Sequence, residues 1–168
     1  MALDLSNLSA ADAVAALRSY PRRYRATLAP IEGDDNLDAM AQRVGPEGVS
    51  ALDLAGDTVR TLGLLSQALR QVLVHDDPVV HAGVVDPAER VWDEAVPLSI
   101  PSVLDELDHE AAALADAVAR VGPDDWMRTA VVAGTGRAVT AIDIVREAVR
   151  TGSDNLHRID VALRAARG

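Results

Sequence analysis

Apolar positions along this chain recur every three or four residues in four long segments, a spacing that predicts amphipathic helices. The first segment runs from about Ser9 to Ala29, and the second opens at Ser50. The third begins at Ser102 and the fourth at Thr140. Pro21 falls inside the first segment, where it either kinks the helix or starts a new one in its first turn. The pattern thus predicts four helices of about 20 residues, or about 30 Å, each with one apolar face.

Capping signals mark the ends of these helices. Ser50, Ser102 and Thr140 each precede an aspartate by three residues, a variant of the capping box with Asp in place of Glu. Gly122 and Pro123 predict the end of the third helix, as a C-terminal cap and a residue that cannot continue it. The fourth helix has a regular apolar stripe that we expect to lie in the core: Ile142, Val145, Val149, Gly152, Leu156, Ile159 and Leu163.

The connections between the helices are long. A polar linker after the first helix has room for a short helix around Leu37–Arg43, and a proline- and acid-rich crossover with at most short helical turns joins the second and third helices. Val131–Val132 and Ala138–Val139 predict a small hairpin or an extended loop. The Gly134–Gly136 stretch between them lacks the Gly-Lys-Ser/Thr of a phosphate loop, which favours a turn. Together these features predict an all-α four-helix bundle in one domain over residues 1–168.

The composition supports helices and excludes several function classes. Apolar residues make up 49% of the chain but aromatic residues only 2%, so we expect an aliphatic core rich in helix-forming Ala and Leu. The net charge of −10 makes binding to nucleic acids or to anionic membranes unfavourable. With no cysteine, the chain has no disulfide, thiol nucleophile or thiolate metal site. The sequence shows neither a signal peptide nor a long apolar run, so we expect a cytoplasmic protein.

Few side chains suggest catalysis by their spacing alone. Glu106 and His109 form a single Glu-x-x-His motif, whereas a di-iron bundle needs two. Trp92 and Trp126 lie beside acidic residues near helix ends, where a role as caps on the core is favoured over a role as ligand platforms. The four histidines lack metal-ligand spacing on one helix, and we interpret them as exposed polar residues: His75, His81, His109 and His157.

Three stretches, in this order, resemble the DinB-like superfamily: "GVSALDLAGDTVRTL", "SVLDELDHEAAALADAVARVGPDDW" and "TGRAVTAIDIVREAVRTGSDNLHRID". This group includes the bacillithiol transferases and the N-terminal domain of the mycothiol-dependent maleylpyruvate isomerases, and the resemblance extends from about Leu17 to Leu163. It implies a four-helix bundle that is often a homodimer. It also implies a divalent metal, held by one histidine on the second helix and two on the fourth, that activates a low-molecular-weight thiol.

The residues at the family's metal positions are not histidines in this chain. The second-helix position falls on Asp57, and the fourth-helix pair falls on Arg150 and Asp154, or on Thr151 and Asn155 in an alternative register shifted by one residue. An arginine has no lone pair to give to a metal. We therefore expect no metal cofactor and no family-type thiol transfer. A divalent metal such as Zn²⁺ or Ni²⁺ is expected only if the site is retained in an altered form.

Two interpretations of Asp57, Arg150 and Asp154 follow. The resemblance places them around a pocket, where the planar guanidinium of Arg150 bridges the two carboxylates. Their positions on the helical wheel instead lie away from the apolar stripes, which indicates a solvated face. Three function classes stay open: a metal-free DinB-like protein with a binding or structural role, a small-molecule-binding protein or enzyme with a divergent site that uses His109 or His157, and a helical module for dimerisation or partner binding.

Overall fold

The computed structural model describes residues 3–29, 37–92 and 99–168, and this part of the chain is mostly helical. The elements in chain order are α1 (Ala10–Leu28), α2 (Leu37–Ala41), α3 (Ala51–Val74), β1 (Val79–Val80), α4 (Ile100–Ala119), β2 (Thr129–Val132), β3 (Ala138–Thr140) and α5 (Ala141–Arg167). Single turns of 3-10 helix lie at Ala82–Val84 and Pro87–Glu89. The predicted class of a purely α-helical protein is not confirmed, because the three strands form a sheet.

Local capping chemistry starts the long helices. The predicted caps at Ser50 and Thr140 are confirmed: each hydroxyl accepts from the backbone N–H three residues on, and the aspartate there accepts from the cap's own N–H. The predicted start at Ser102 is wrong, because Ser99 is the cap of α4 and Ser102 is its partner three residues later. Pro101 fits in the first turn of a helix, because a backbone N–H there would have no partner in any case. Helix α4 therefore begins before Ser102, the start that Asp105 three residues later indicates.

The four long helices share one core, which is mostly aliphatic and also contains Tyr20 and Tyr24. Helix α3 packs against α4 and α5, and α1 packs against the same two helices from the other side. Helix α1 continues through Pro21 without a break. The predicted stripe of α5 is confirmed, since all of its members but the half-buried Ile142 are buried. Trp126 packs against the core as predicted. Within the described ranges, no helix is both long and apolar enough to cross a membrane.

The small sheet has the strand order β1-β2-β3. Strands β2 and β3 pair antiparallel, with Ala130 opposite Val139, so of the two predicted alternatives the hairpin forms and the extended loop does not. Gly134 and Gly136 form its turn with positive φ angles of 80° and 65°. Strand β1 pairs parallel with β2 and was not predicted, because two residues are too short for an alternating pattern. Arg128, just before β2, donates to the Val72 and His75 carbonyl oxygens at the end of α3 (2.8 and 3.0 Å).

Candidate functional site

Asp57 lies on α3 at the edge of a cleft of about 340 Å³, which we call the Asp57 cleft. Its walls come from α3, from α5 and from the segment that follows β1. Most of the side chains that line it are charged, and one is aromatic: Val49, Asp53, Leu54, Asp57, Arg60, Pro87, Arg90, Trp92 and Arg158. The prediction that Trp92 acts as a cap on the core is therefore wrong, since its indole lines the cleft instead.

Both carboxylate oxygens of Asp57 accept hydrogen bonds. The Trp92 indole Nε1 donates to Oδ1 and the Asn155 amide Nδ2 donates to Oδ2, each at 2.9 Å. On its other side, the Asn155 Oδ1 accepts from the Arg158 guanidinium at 3.1 Å. These neighbours fix the orientation of the amide, because the carboxylate requires a donor and the guanidinium requires an acceptor. Asn155 is only 4% exposed, so water does not replace these partners and the amide keeps this orientation.

A chain of hydroxyl groups continues from this amide into the core. Asn155 Nδ2 also lies 3.0 Å from Thr58 Oγ1, which lies 2.9 Å from the Tyr24 hydroxyl. Tyr24 donates to the Gly152 carbonyl oxygen at 2.8 Å, and Tyr20 donates to that of Val149 at 2.6 Å. Burial raises the pKa of both tyrosines above its ordinary value, so both hydroxyls stay protonated and can donate at neutral pH. The two tyrosines thereby join α1 to α5.

A buried ion pair lies beside the Asp57 cleft. The Arg90 guanidinium donates to Glu147 Oε1 at 2.7 Å, to the Gly83 carbonyl oxygen at 2.7 Å and to Thr151 Oγ1 at 3.3 Å. The side chain of Arg90 is 4% exposed and that of Glu147 is 13% exposed. Arg150 binds the other Glu147 oxygen from the solvent side, also at 2.7 Å. Glu147 thus lies between two guanidinium groups. Its negative charge compensates the buried positive charge of Arg90.

The structure separates the residues of the predicted acid–Arg–acid network. Arg150 and Asp154 are exposed on α5, and Arg150 pairs with Glu147 instead of Asp57. The predicted network is therefore not formed. The residues of the alternative register, Thr151 and Asn155, are buried, and Asn155 contacts Asp57 directly. Successive residues on a helix point about 100° apart, so a shift of one position exchanges the solvent face for the face that meets α3.

The side chains around Asp57 do not fit a divalent metal. Within the described ranges, no three His, Asp or Glu residues lie close enough together to hold one. Thr151 Oγ1 is bound by Arg90, and Asn155 turns its nitrogen, which cannot ligate, towards Asp57. All four histidines are exposed, as interpreted from the sequence, and His81 Nδ1 accepts from the Gly83 N–H at 2.9 Å.

Sequence reasoning missed two residues of this site, Arg90 and Glu147. Glu147 lies one helical turn before Thr151 and so shares its face, a spacing that is visible in the chain itself. Arg90 lies in the crossover between α3 and α4, and no local pattern indicates that its guanidinium is buried. A scan against protein-family models gives no match, and a search of curated proteins gives no relative either.

Proposed function

We propose that this chain is a DinB-like four-helix-bundle protein that works without the family's metal, and that it binds a small polar molecule in the Asp57 cleft instead of catalysing thiol transfer. The observation that carries the proposal is that Asp57, Thr151 and Asn155 are all held by hydrogen bonds: Asp57 accepts from Asn155 and Trp92, and Arg90 binds Thr151. Helix α3 supplies the first of these residues and α5 the next two, which are the helices from which the resembled family takes its metal ligands.

The charge of Arg90 supports a role without metal. Its guanidinium is buried and touches Thr151, one of the two α5 residues of the alternative register. An arginine side chain stays positively charged at all ordinary pH values. Arg90 therefore supplies positive charge permanently where the resembled enzymes use a removable ion. A cytoplasmic location and a homodimer stay predictions of the resemblance and the composition.

The shape and chemistry of the Asp57 cleft suit a small polar ligand. Its volume of about 340 Å³ lies near the lower end of the range for small-molecule sites. Trp92 offers apolar surface, Arg60 and Arg158 offer donors, and Asp53 and Asp57 offer acceptors. Arg60 forms no ion pair within the described part of the chain, so its donors are open to a ligand there.

Metal binding is the direct test of this proposal. Calorimetric titration of the purified chain with Zn²⁺ and with Ni²⁺ should show no stoichiometric binding. A triple variant with Asp57→His, Thr151→His and Asn155→His should create a site. The matched variant with Asp57→His, Arg150→His and Asp154→His should not, since two of its histidines lie on the exposed face. One metal per parent chain by elemental analysis would falsify the proposal, and binding by the second triple variant alone would show that the register is wrong.

Ligand binding has an internal reference in the two tryptophans of the chain. In a two-dimensional NMR screen of polar fragments, a ligand in the Asp57 cleft should shift the indole N–H resonance of Trp92. The resonance of Trp126, which packs against the core elsewhere, should stay in place. Fragments that move both resonances equally, or neither, would count against a specific site. Arg60→Gln should weaken binding of any fragment that moves Trp92 alone.

A further inference from the structure

A second pocket, which we call the Arg137 pocket, lies on another side of Glu147 and has a volume of about 190 Å³. Its walls come from the 3-10 turn after β1, from β3 and from the first turns of α5. Val84 and Val139 contribute apolar wall, and the remaining lining is mostly charged. None of its lining residues lines the Asp57 cleft, so ligand binding here does not depend on the function proposed above.

Three guanidinium groups line the Arg137 pocket, namely those of Arg137, Arg146 and Arg150. Arg146 is held in place by the Leu5 and Ser6 carbonyl oxygens at 3.1 and 2.9 Å. Within the described ranges, the guanidinium of Arg137 binds no acceptor. One guanidinium is thus fixed before any ligand arrives, and another is open to one.

The two carboxylates in the lining are already bound by donors. Asp143 accepts from the Thr140 hydroxyl at 2.7 Å and from its N–H at 3.2 Å, as part of the cap of α5. Glu147 accepts from Arg150 on one oxygen and from Arg90 on the other. Arg90 therefore adds a fourth positive charge behind the lining. Four arginines against two carboxylates leave a local excess of positive charge in a chain whose net charge is −10.

We propose that the Arg137 pocket binds a small oxyanion, namely a phosphate group. Planar guanidinium groups bind phosphate oxygens in pairs of parallel hydrogen bonds, and such charge-assisted bonds are the strong ones. The two lining carboxylates already accept from donors of the protein, Asp143 from Thr140 and Arg146 and Glu147 from two arginines, so their repulsion of an anion is offset. The anion contacts Arg137 and Arg150 at the rim and the fixed guanidinium of Arg146 deeper in the pocket.

The test is a calorimetric titration of the full chain with inorganic phosphate at low ionic strength. The expected result is saturable binding at one site per chain, weakened at least tenfold by Arg137→Gln and by Arg150→Gln. Both side chains are exposed, so the variants should melt like the parent. The matched control is Arg167→Gln at the end of α5, which removes the same charge away from the pocket and should bind phosphate like the parent.

Added chloride should weaken the binding through screening and competition. The absence of saturable binding would overturn the proposal. An equal loss in Arg167→Gln would overturn it too, since the effect would then reflect net charge and not this pocket. A phosphate-induced shift of the Trp92 indole resonance without any effect of Arg137→Gln would assign the anion to the Asp57 cleft instead, and would likewise refute the Arg137 pocket.

Discussion

Replacing Gly152 by alanine should destabilise the fold, although alanine is the better helix former. Gly152 lies in the middle of α5, directly under the ring of Tyr20. A Cβ at this position would lie 2.3, 2.6 and 2.8 Å from three ring carbons. The ring cannot swing aside easily, because Tyr20 is buried and its hydroxyl donates to the Val149 carbonyl oxygen of the same helix.

The magnitude follows from two opposing effects. An alanine inside a helix is favoured over glycine by about 1 kcal/mol. Overpacking a close-packed core typically costs about 1–3 kcal/mol, and contacts this short lie at the upper end. The expected net loss for Gly152→Ala is about 2 kcal/mol in the free energy of unfolding. It should appear in urea unfolding as a lower midpoint with an unchanged slope.

Gly63 in α3 provides the matched control. It also lies in a helix interior, but the three atoms nearest to a Cβ there would belong to the Glu110 carboxylate, at ordinary contact distances of 3.4, 3.6 and 3.8 Å. Gly63→Ala should therefore stabilise the chain by up to about 1 kcal/mol. In a double-mutant cycle, Tyr20→Ala should remove the penalty of Gly152→Ala. A neutral or stabilising Gly152→Ala in the parent chain would refute the packing of Tyr20 on α5.

The remaining predictions concern charge. Arg90→Ala should lower the free energy of unfolding by about 3–5 kcal/mol, because Glu147 stays buried with only part of its compensation. Arg150→Ala, whose side chain is 48% exposed, should cost under about 1 kcal/mol; similar losses in urea unfolding would contradict this contrast. Burial raises the pKa of Tyr20 and Tyr24 in the folded state. Above about pH 10 the tyrosines of the unfolded chain lose their protons while those of the folded chain keep them. The free energy of unfolding should therefore fall by about 1.4 kcal/mol per pH unit for each tyrosine. Tyr20→Phe should halve this dependence of the unfolding free energy on pH, measured by urea unfolding at a series of pH values. An unchanged pH dependence would count against the role of Tyr20.

The parts of the fold that depend on near neighbours are predictable from the sequence. Ser50 and Thr140 cap their helices through contacts three residues away, and those contacts are visible in the chain itself. The hairpin around Gly134 likewise forms between residues that are close together in the sequence. Strand β1 is different, because its two residues form a strand only by pairing with β2, about 50 residues later in the chain.

The candidate site was predicted only in part, for a geometric reason. The resemblance indicates Asp57 as a residue to inspect, and Asp57 lies at the edge of a cleft, but its partner on α5 depends on a register that periodicity does not resolve. Arg150 and Thr151 are adjacent in sequence, yet one is exposed and the other is buried. Arg90 and Glu147 are 57 residues apart, and only the packed structure shows that they meet. Contacts of this kind need tertiary information, since no local pattern specifies them.

The hydrogen bonds of Arg128 make the last turn of α3 depend on the sheet. The last carbonyl groups of a helix have no partner within it, and here those of Val72 and His75 are bound by a side chain from just before β2. Opening the sheet would remove these bonds and leave the end of α3 free to fray. The amide protons of that turn and of β2 should then exchange with solvent at a common rate, as one cooperative unit, while the middle of α3 exchanges only when the whole domain unfolds.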